Sequence, residues 1–410
     1  MKRIISTILV MCIVVTAVAA FTQPAAEAST LPRVNNTQSL RLNHGDIEQL
    51  VRRHNPIIDN NRLAEAGLHE MTGGGEGGAI DAMVAGQGQL IAMQAQTGAL
   101  LAQIMAVQPE QPDPVREGII MSLMNDMAAT ERDIMQISSQ IEHMSSDPVG
   151  NSVTRSIAQI NAANRQVIWG VESLYLGYHT LNNQLNQTRE NLDSLSRNIA
   201  LMERRHAVGH VTARALQNAR SNRTQLEAAI ANMENELENL KGQVNLMLGR
   251  NFDAPLVIGN LPEAERDFMR SRDRARDLRS ARNASVAIST AEMDINEQTS
   301  QWGENARRQE AMARNNLENE ERTLSQRHAS LIRAISDRQT NLELAEEQLE
   351  LLEQTLEETQ RRFNRGLVSR VDFEQAQTEV ALQEIRVSAA DAELFGAIRR
   401  YEWFIRGLNI

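Results

Sequence analysis

One offset constrains this chain more than any other feature. Apolar or small side chains fall at Leu185, Thr188, Leu192, Leu195, Ile199 and Met202, with His206 taking the next place. They recur at Leu342, Ala345, Leu349, Leu352, Leu356, Thr359 and Phe363, each 157 residues later (342 − 185). Alternating steps of three and four residues are the seam of a coiled coil, because 3.5 residues per repeat keep one stripe facing a partner helix. A glycine interrupts both runs, Gly209 in the first and Gly366 in the second, and the alternation then resumes. It passes through Leu226, Ile230, Met233, Leu237, Leu240, Val244 and Met247 in one, and through Phe373, Ala376, Val380, Val387, Ala390, Leu394, Ala397, Tyr401 and Phe404 in the other. The same offset carries Thr212 onto Ser369, Leu216 onto Phe373 and Leu240 onto Ala397. An offset held across two helices and the turn between them is an internal duplication.

The breaks read as turns. Glycine supplies the positive φ that ends one helix, and Thr212 or Ser369 begins the next by accepting a backbone N–H. A short loop forces its flanking helices to run antiparallel. The expected fold is therefore all-α: two tandem repeats of long antiparallel coiled-coil hairpins, with little or no β-structure. Arms of about 25–40 residues make each hairpin about 40–60 Å long. Composition agrees, since aromatics are 3% of the chain and prolines number nine, while residues that lose little freedom on becoming helical dominate.

The boundaries follow. Residues 1–28 read as a signal peptide: Lys2 and Arg3, an apolar run to Ala20, then two small-residue sites ending at Ala19 and Ala28, the second better placed for cleavage. An uncleaved anchor helix is the other reading of that run. Residues 40–250 form the first repeat, 251–264 a Pro/Gly-bounded linker with room for one short strand, and 265–410 the second repeat. A weaker match joins the starts of the repeats, pairing Leu50, Asn55 and Ile58 with Leu278, Asn283 and Val286 at an offset of 228 (283 − 55). The first repeat carries an insert at about 72–150: six residues, 73–78, of which five are glycine, an uncharged stretch over 82–109, and a second helical pattern over 115–144. The uncharged stretch reads first as a buried or trimer-forming helix; membrane contact and a disordered loop are the alternatives.

Several classes of function are excluded or disfavoured. A formal net charge of −11 does not suit a nucleic-acid partner, which needs a basic face. Cys12, the single cysteine, lies inside the signal segment, so the exported chain has no disulfide and no cysteine metal site. His206 and His210 have metal-ligand spacing, but Gly209 breaks the helix between them and no third ligand is near. No nucleophile elbow, phosphate loop or zinc-protease motif occurs, and neither an enzyme nor a cofactor is expected. The glutamates over 343–358 read as a solvated face, and Trp169, Trp302 and Trp403 as packing at helix junctions.

The two hairpin motifs carry a family resemblance. His206-Ala207-Val208-Gly209-His210-Val211-Thr212 with Leu216 and Ala219, and Phe363-Asn364-Arg365-Gly366-Leu367-Val368-Ser369 with Asp372, Phe373 and Ala376, resemble TolC-type outer-membrane efflux proteins. The opening at 42–50, followed by Asn55-Pro56, is similar to that family's start, and the resemblance spans residues 40 to 407. It implies a TolC-like α-barrel protomer, a homo-oligomer (a trimer), a helical tunnel, and partnership with a periplasmic adaptor and an inner-membrane pump. It further implies that Gly209, Val211, Thr212, Gly366, Val368 and Ser369 form an adaptor-docking tip; plain helix termination is the competing account of the same residues. The sequence departs from the family where membrane-barrel strands would lie. Residues 300–326 are polar and helix-like, and the insert of the first repeat is poor in strong β-formers. The expectation is a duct component of the cell envelope with little or no barrel, associated with the periplasm or outer membrane or lying outside the cytoplasmic membrane of a cell without a conventional outer one. The alternative is an exported structural or binding coiled coil that conducts nothing.

Overall fold

Two very long helices, each turning back into a shorter one, dominate the computed structural model, which describes residues 36–71, 149–299 and 303–408. The signal segment, the glycine run, the uncharged stretch over 82–109, the helical pattern over 115–144 and Trp302 lie outside the described residues. Helix α1 (Ile47–His54) and α2 (Pro56–Met71) precede α3 (Val149–Ala207), which returns as α4 (Ala213–Met247). After the linker the order repeats as α5 (Arg274–Ala284), α6 (Val286–Thr299), α7 (Glu304–Asn364) and α8 (Arg370–Ile405). The return arms of 35 and 36 residues match the expected hairpin length. The outgoing arms of 59 and 61 residues are longer, about 90 Å each, because they continue well upstream of the seam counted from the sequence.

The chain divides into two compact units. In one, whose described residues are 59–71 and 149–160, Ala64, Leu68 and Val153 are buried and Arg62 pairs with Asp59 at 2.7 Å. The other, Asn35–Ile58 with Asn161–Ile410, holds both hairpins. There, every seam position named from the sequence is buried or half-buried except His206. Cross-arm contacts fix the antiparallel sense: Arg189 pairs with Glu234 at 2.6 Å, Arg220 with Glu203 at 2.8 Å, and Arg338 with Glu393 at 2.6 Å. The glutamates over 343–358 are mostly solvated, as their seam-flanking spacing predicts, with Glu346 taken by Arg266 at 2.6 Å. Ile335, Leu342, Leu394, Ile398 and Tyr401 close the second hairpin against Ala264 and Phe268 of the linker region.

The duplication extends to the helix breaks. Asn55 (φ −74°, ψ 123°) separates α1 from α2, and Ser285 (φ −74°, ψ 118°) separates α5 from α6. Asn55 accepts from the backbone N–H groups of Ile57 and Ile58, and Ser285 accepts from that of Ile288. The structural offset is therefore 230 (285 − 55), not the 228 obtained by matching asparagine to asparagine. What the two sites share is a side-chain oxygen at a helix start, which Asn and Ser supply equally.

The linker adds a strand, as its composition allows. Leu256–Ile258 (β2) pairs in parallel with Leu40–Leu42 (β1) in the register Leu40 with Leu256, Arg41 with Val257 and Leu42 with Ile258. Arg250, only 3% exposed, fastens this region by donating to the carbonyls of Gln38 and Pro255 and to the Asn245 side chain. Among the described residues no helix is long and apolar enough to cross a membrane.

Candidate functional site: two hairpin tips

Both tips are built the same way, atom for atom along the backbone. Gly209 (φ 81°) donates to the carbonyl of His206 at 2.9 Å, and His210 donates to that of Arg205 at 2.8 Å. Gly366 (φ 74°) donates to Phe363 at 2.8 Å and Leu367 to Arg362 at 3.0 Å. This paired bonding is the Schellman ending, in which a left-handed residue caps the last free carbonyls of a helix. Thr212 then accepts from the N–H of Ala215, and Ser369 from that of Asp372, both at 3.2 Å. Ser369 also donates to the Asp372 carboxylate at 2.7 Å. Thr212→Ala and Ser369→Ala are each expected to cost about 1 kcal/mol by urea unfolding, the ordinary value of an N-cap.

The six residues expected at the tips are thus brought together as two groups of three, one on each hairpin. Val211 and Val368 are half-buried, however, and the apolar side chains most offered to solvent are Val208 (68% exposed) and Leu367 (71%). The carbonyl of Val211 accepts from Nδ1 of His206 at 2.7 Å. That bond occupies one nitrogen of the histidine pair considered for a metal, and no cluster of three potential ligands occurs among the described residues. Beneath the second tip Phe363 stacks on Phe373, centroids 5.0 Å apart, closing the hairpin from within.

The tips lie at one end of their unit. Arg197 donates to Thr378 at 2.7 Å, joining α3 to α8. Arg197 lies twelve residues before Gly209 (209 − 197) and Thr378 twelve after Gly366 (378 − 366), so the hairpins stand side by side with their turns level.

At the other end of the hairpins a polar knot joins the repeats. Glu172, 2% exposed, is held by His44 at 2.8 Å, by the indole N–H of Trp403 at 2.7 Å and by Arg399, which also reaches Glu402. Burial would raise its carboxyl pKa, but the bonds from His44, Arg399 and Trp403 outweigh burial and hold it at about 2. Tyr175, packed beside His44, is pushed up to about 12 by burial. A second buried chain runs from His328 to Tyr401 to Asp277, at 3.2 and 3.0 Å. Apart from Tyr401, which falls on the seam, no sequence spacing marked either group. Their only signal was a charged or polar residue at a helical position where the core face falls.

The class defined by this geometry is a duplicated antiparallel hairpin protein with paired tips. No protein-family model matches the sequence, and no curated protein matches it. Among solved structures the fold is similar to the outer membrane protein VceC from Vibrio cholerae, at 12% identity and a TM-score of 0.46, covering 89% of this chain and 96% of that one. It is also similar to the outer-membrane channel OprN (11%, TM-score 0.44, 94% and 98% covered) and to the Campylobacter jejuni CmeC outer membrane channel (12%, 0.41, 95% and 98%). These are proteins of the kind the hairpin motifs resemble; at such identities and scores the likeness assigns no function.

Proposed function

We propose that this chain is a TolC-like duct component of the cell envelope, a homo-oligomer whose helices enclose a lumen and whose hairpin tips meet a periplasmic adaptor working with an inner-membrane pump. The observation that carries the reading is the pair of alike-capped tips at the same end of the hairpins, each leaving an apolar side chain in water beside a left-handed glycine. Helix termination alone requires the glycine and the cap. It does not require Val208 and Leu367 to be left in water at both turns, where each loses the benefit of burial. Conduction through a lumen needs no catalytic group.

The test is assembly. Size measurement and negative-stain imaging of the mature protein should give closed rings with a central pore. A monomer or a simple dimer would remove the duct reading in favour of a bridging coiled coil. For docking, Val208→Asp with Leu367→Asp should reduce co-purification with an adaptor encoded beside this chain by about tenfold or more, with helicity unchanged, since burying an unpaired carboxylate is costly. Undiminished capture would remove the tips from the interface.

A further inference from the structure

The duplication permits a comparison inside one molecule, and the two tips differ in charge where they agree in backbone. Residues 204–226 hold five arginines and no carboxylate, whereas the matching residues 361–383 hold four arginines and three carboxylates. Arginines occupy the last helical turn in both hairpins, Arg204 and Arg205 in one and Arg361 and Arg362 in the other. There they suit the helix dipole. In the second hairpin each is answered from four residues earlier: Arg361 pairs with Glu357 at 3.5 Å and Arg362 with Glu358. Beyond the turn Arg370 pairs with Glu374 at 2.6 Å.

In the first hairpin the positions matching Glu357, Glu358 and Glu374 are Ala200, Leu201 and Gln217. Among the described residues no ion pair engages Arg204, Arg205 or Arg214. Arg214 moreover sits in the first turn of α4, which carries no acidic residue and where a cation opposes the dipole. At the second turn Arg365 alone is without an ion pair among the described residues, so a chain of net charge −11 has gathered three unpaired guanidinium groups at one of its two equivalent turns, around the exposed Val208, against one at the other. A local rule broken at one copy and kept at the other marks a site shaped by something outside the chain.

We propose that the first tip, and not the second, is the charge-reading half of the docking surface, and that it takes a carboxylate-bearing segment of a partner protein. This rests on the docking reading above. Guanidinium groups bind carboxylates through paired N–H donors. A single valine offers too little apolar surface to hold the tip in a lipid interface, which favours a protein over a membrane.

The test uses the full mature chain and a fluorescein-labelled oligoglutamate peptide, followed by anisotropy. Binding should appear at low ionic strength and fade with added salt. Ala200→Glu with Asn218→Glu supplies acids four residues from Arg204 and Arg214 at exposed positions, and should weaken binding about tenfold or more while circular dichroism stays unchanged. Conversely, Glu357→Ala with Glu358→Ala frees Arg361 and Arg362 of their acid partners and should strengthen binding. No binding by the parent protein, or equal binding by the Glu-bearing variant, would overturn the proposal. So would charge-dependent binding to phosphatidylglycerol vesicles without binding to the peptide, which assigns the patch to a membrane surface. If the Val208 and Leu367 variants abolish adaptor capture while the Glu-bearing variant does not, docking stands and the charge assignment alone falls.

Discussion

Glu172→Gln is expected to lower the unfolding free energy by about 3–5 kcal/mol, measured by urea titration at neutral pH. The carboxylate is almost fully enclosed and answers His44, Arg399 and Trp403 together. An amide keeps the volume but carries no charge to set against Arg399, whose side chain is itself only 17% exposed. The effect therefore arises less from losing one bond than from leaving an enclosed cation with only one of its two carboxylates, Glu402. The pH dependence has a definite sign. The group's folded pKa of about 2 lies below its ordinary 4.5, so its contribution is complete above about pH 4.5 and disappears as pH falls towards 2. The stability gap between parent and variant should shrink over that window. A gap below about 1 kcal/mol at neutral pH would mean that water replaces the network without loss.

The second large effect distinguishes glycines that share a backbone angle. Gly249 (φ 67°) and Gly407 (φ 84°) end the two return helices with the same Schellman bonding as the tips. A Cβ on Gly249 would come within 2.6 Å of the His54 carbonyl oxygen, and one on Gly407 would overlap the Ala284 carbonyl. Around Gly209 and Gly366 the same atom would meet nothing within 4 Å. Alanine at a tip therefore costs the left-handed conformation alone, about 1–2 kcal/mol. At Gly249 or Gly407 it must also push apart two chain segments, which raises the expected loss to about 3–5 kcal/mol. Thermal unfolding of the four alanine variants should separate them into those two pairs. Equal losses would show that the base of the hairpin yields more readily than its packing implies.

The parts of this architecture legible from sequence are those with a period or a punctuation mark. Leu185 and Leu342 could be found because the seam repeats, and Gly209 and Gly366 because a left-handed helix ending leaves few alternatives to glycine. The upstream halves of α3 and α7 were not legible to the same degree. There the inward face carries Asn164, Glu172 and His328 among its buried positions, so apolar counting loses the stripe. At the tips the residue types were legible and the exposure was not. Val211 and Val368 look like the apolar members of the turn, yet Val208 and Leu367, on either side of a glycine, are the ones left in water. One left-handed residue redirects the chain, and side-chain direction beyond it does not follow from spacing. The match of Asn55 with Asn283 failed for a related reason, since identity of residue type is weaker evidence than identity of bonding role.

The two short strands have a bearing on how this protein can be divided for study. Residues 251–264 look like the natural place to cut, with proline and glycine at both ends and a hairpin on each side. Yet the segment is stitched to the opening of the chain: Leu40 donates to the Pro255 carbonyl at 3.1 Å and Gly259 to that of Leu42 at 2.7 Å, across 216 residues (256 − 40). A first repeat that stops before residue 256 loses the partner of its own first strand, and a second repeat expressed together with the linker carries an unpaired edge open to association with other chains. The repeats arose as copies, but they are no longer interchangeable modules. Each hairpin forms from neighbours in sequence, whereas the clasp between them cannot close until the whole first repeat has passed.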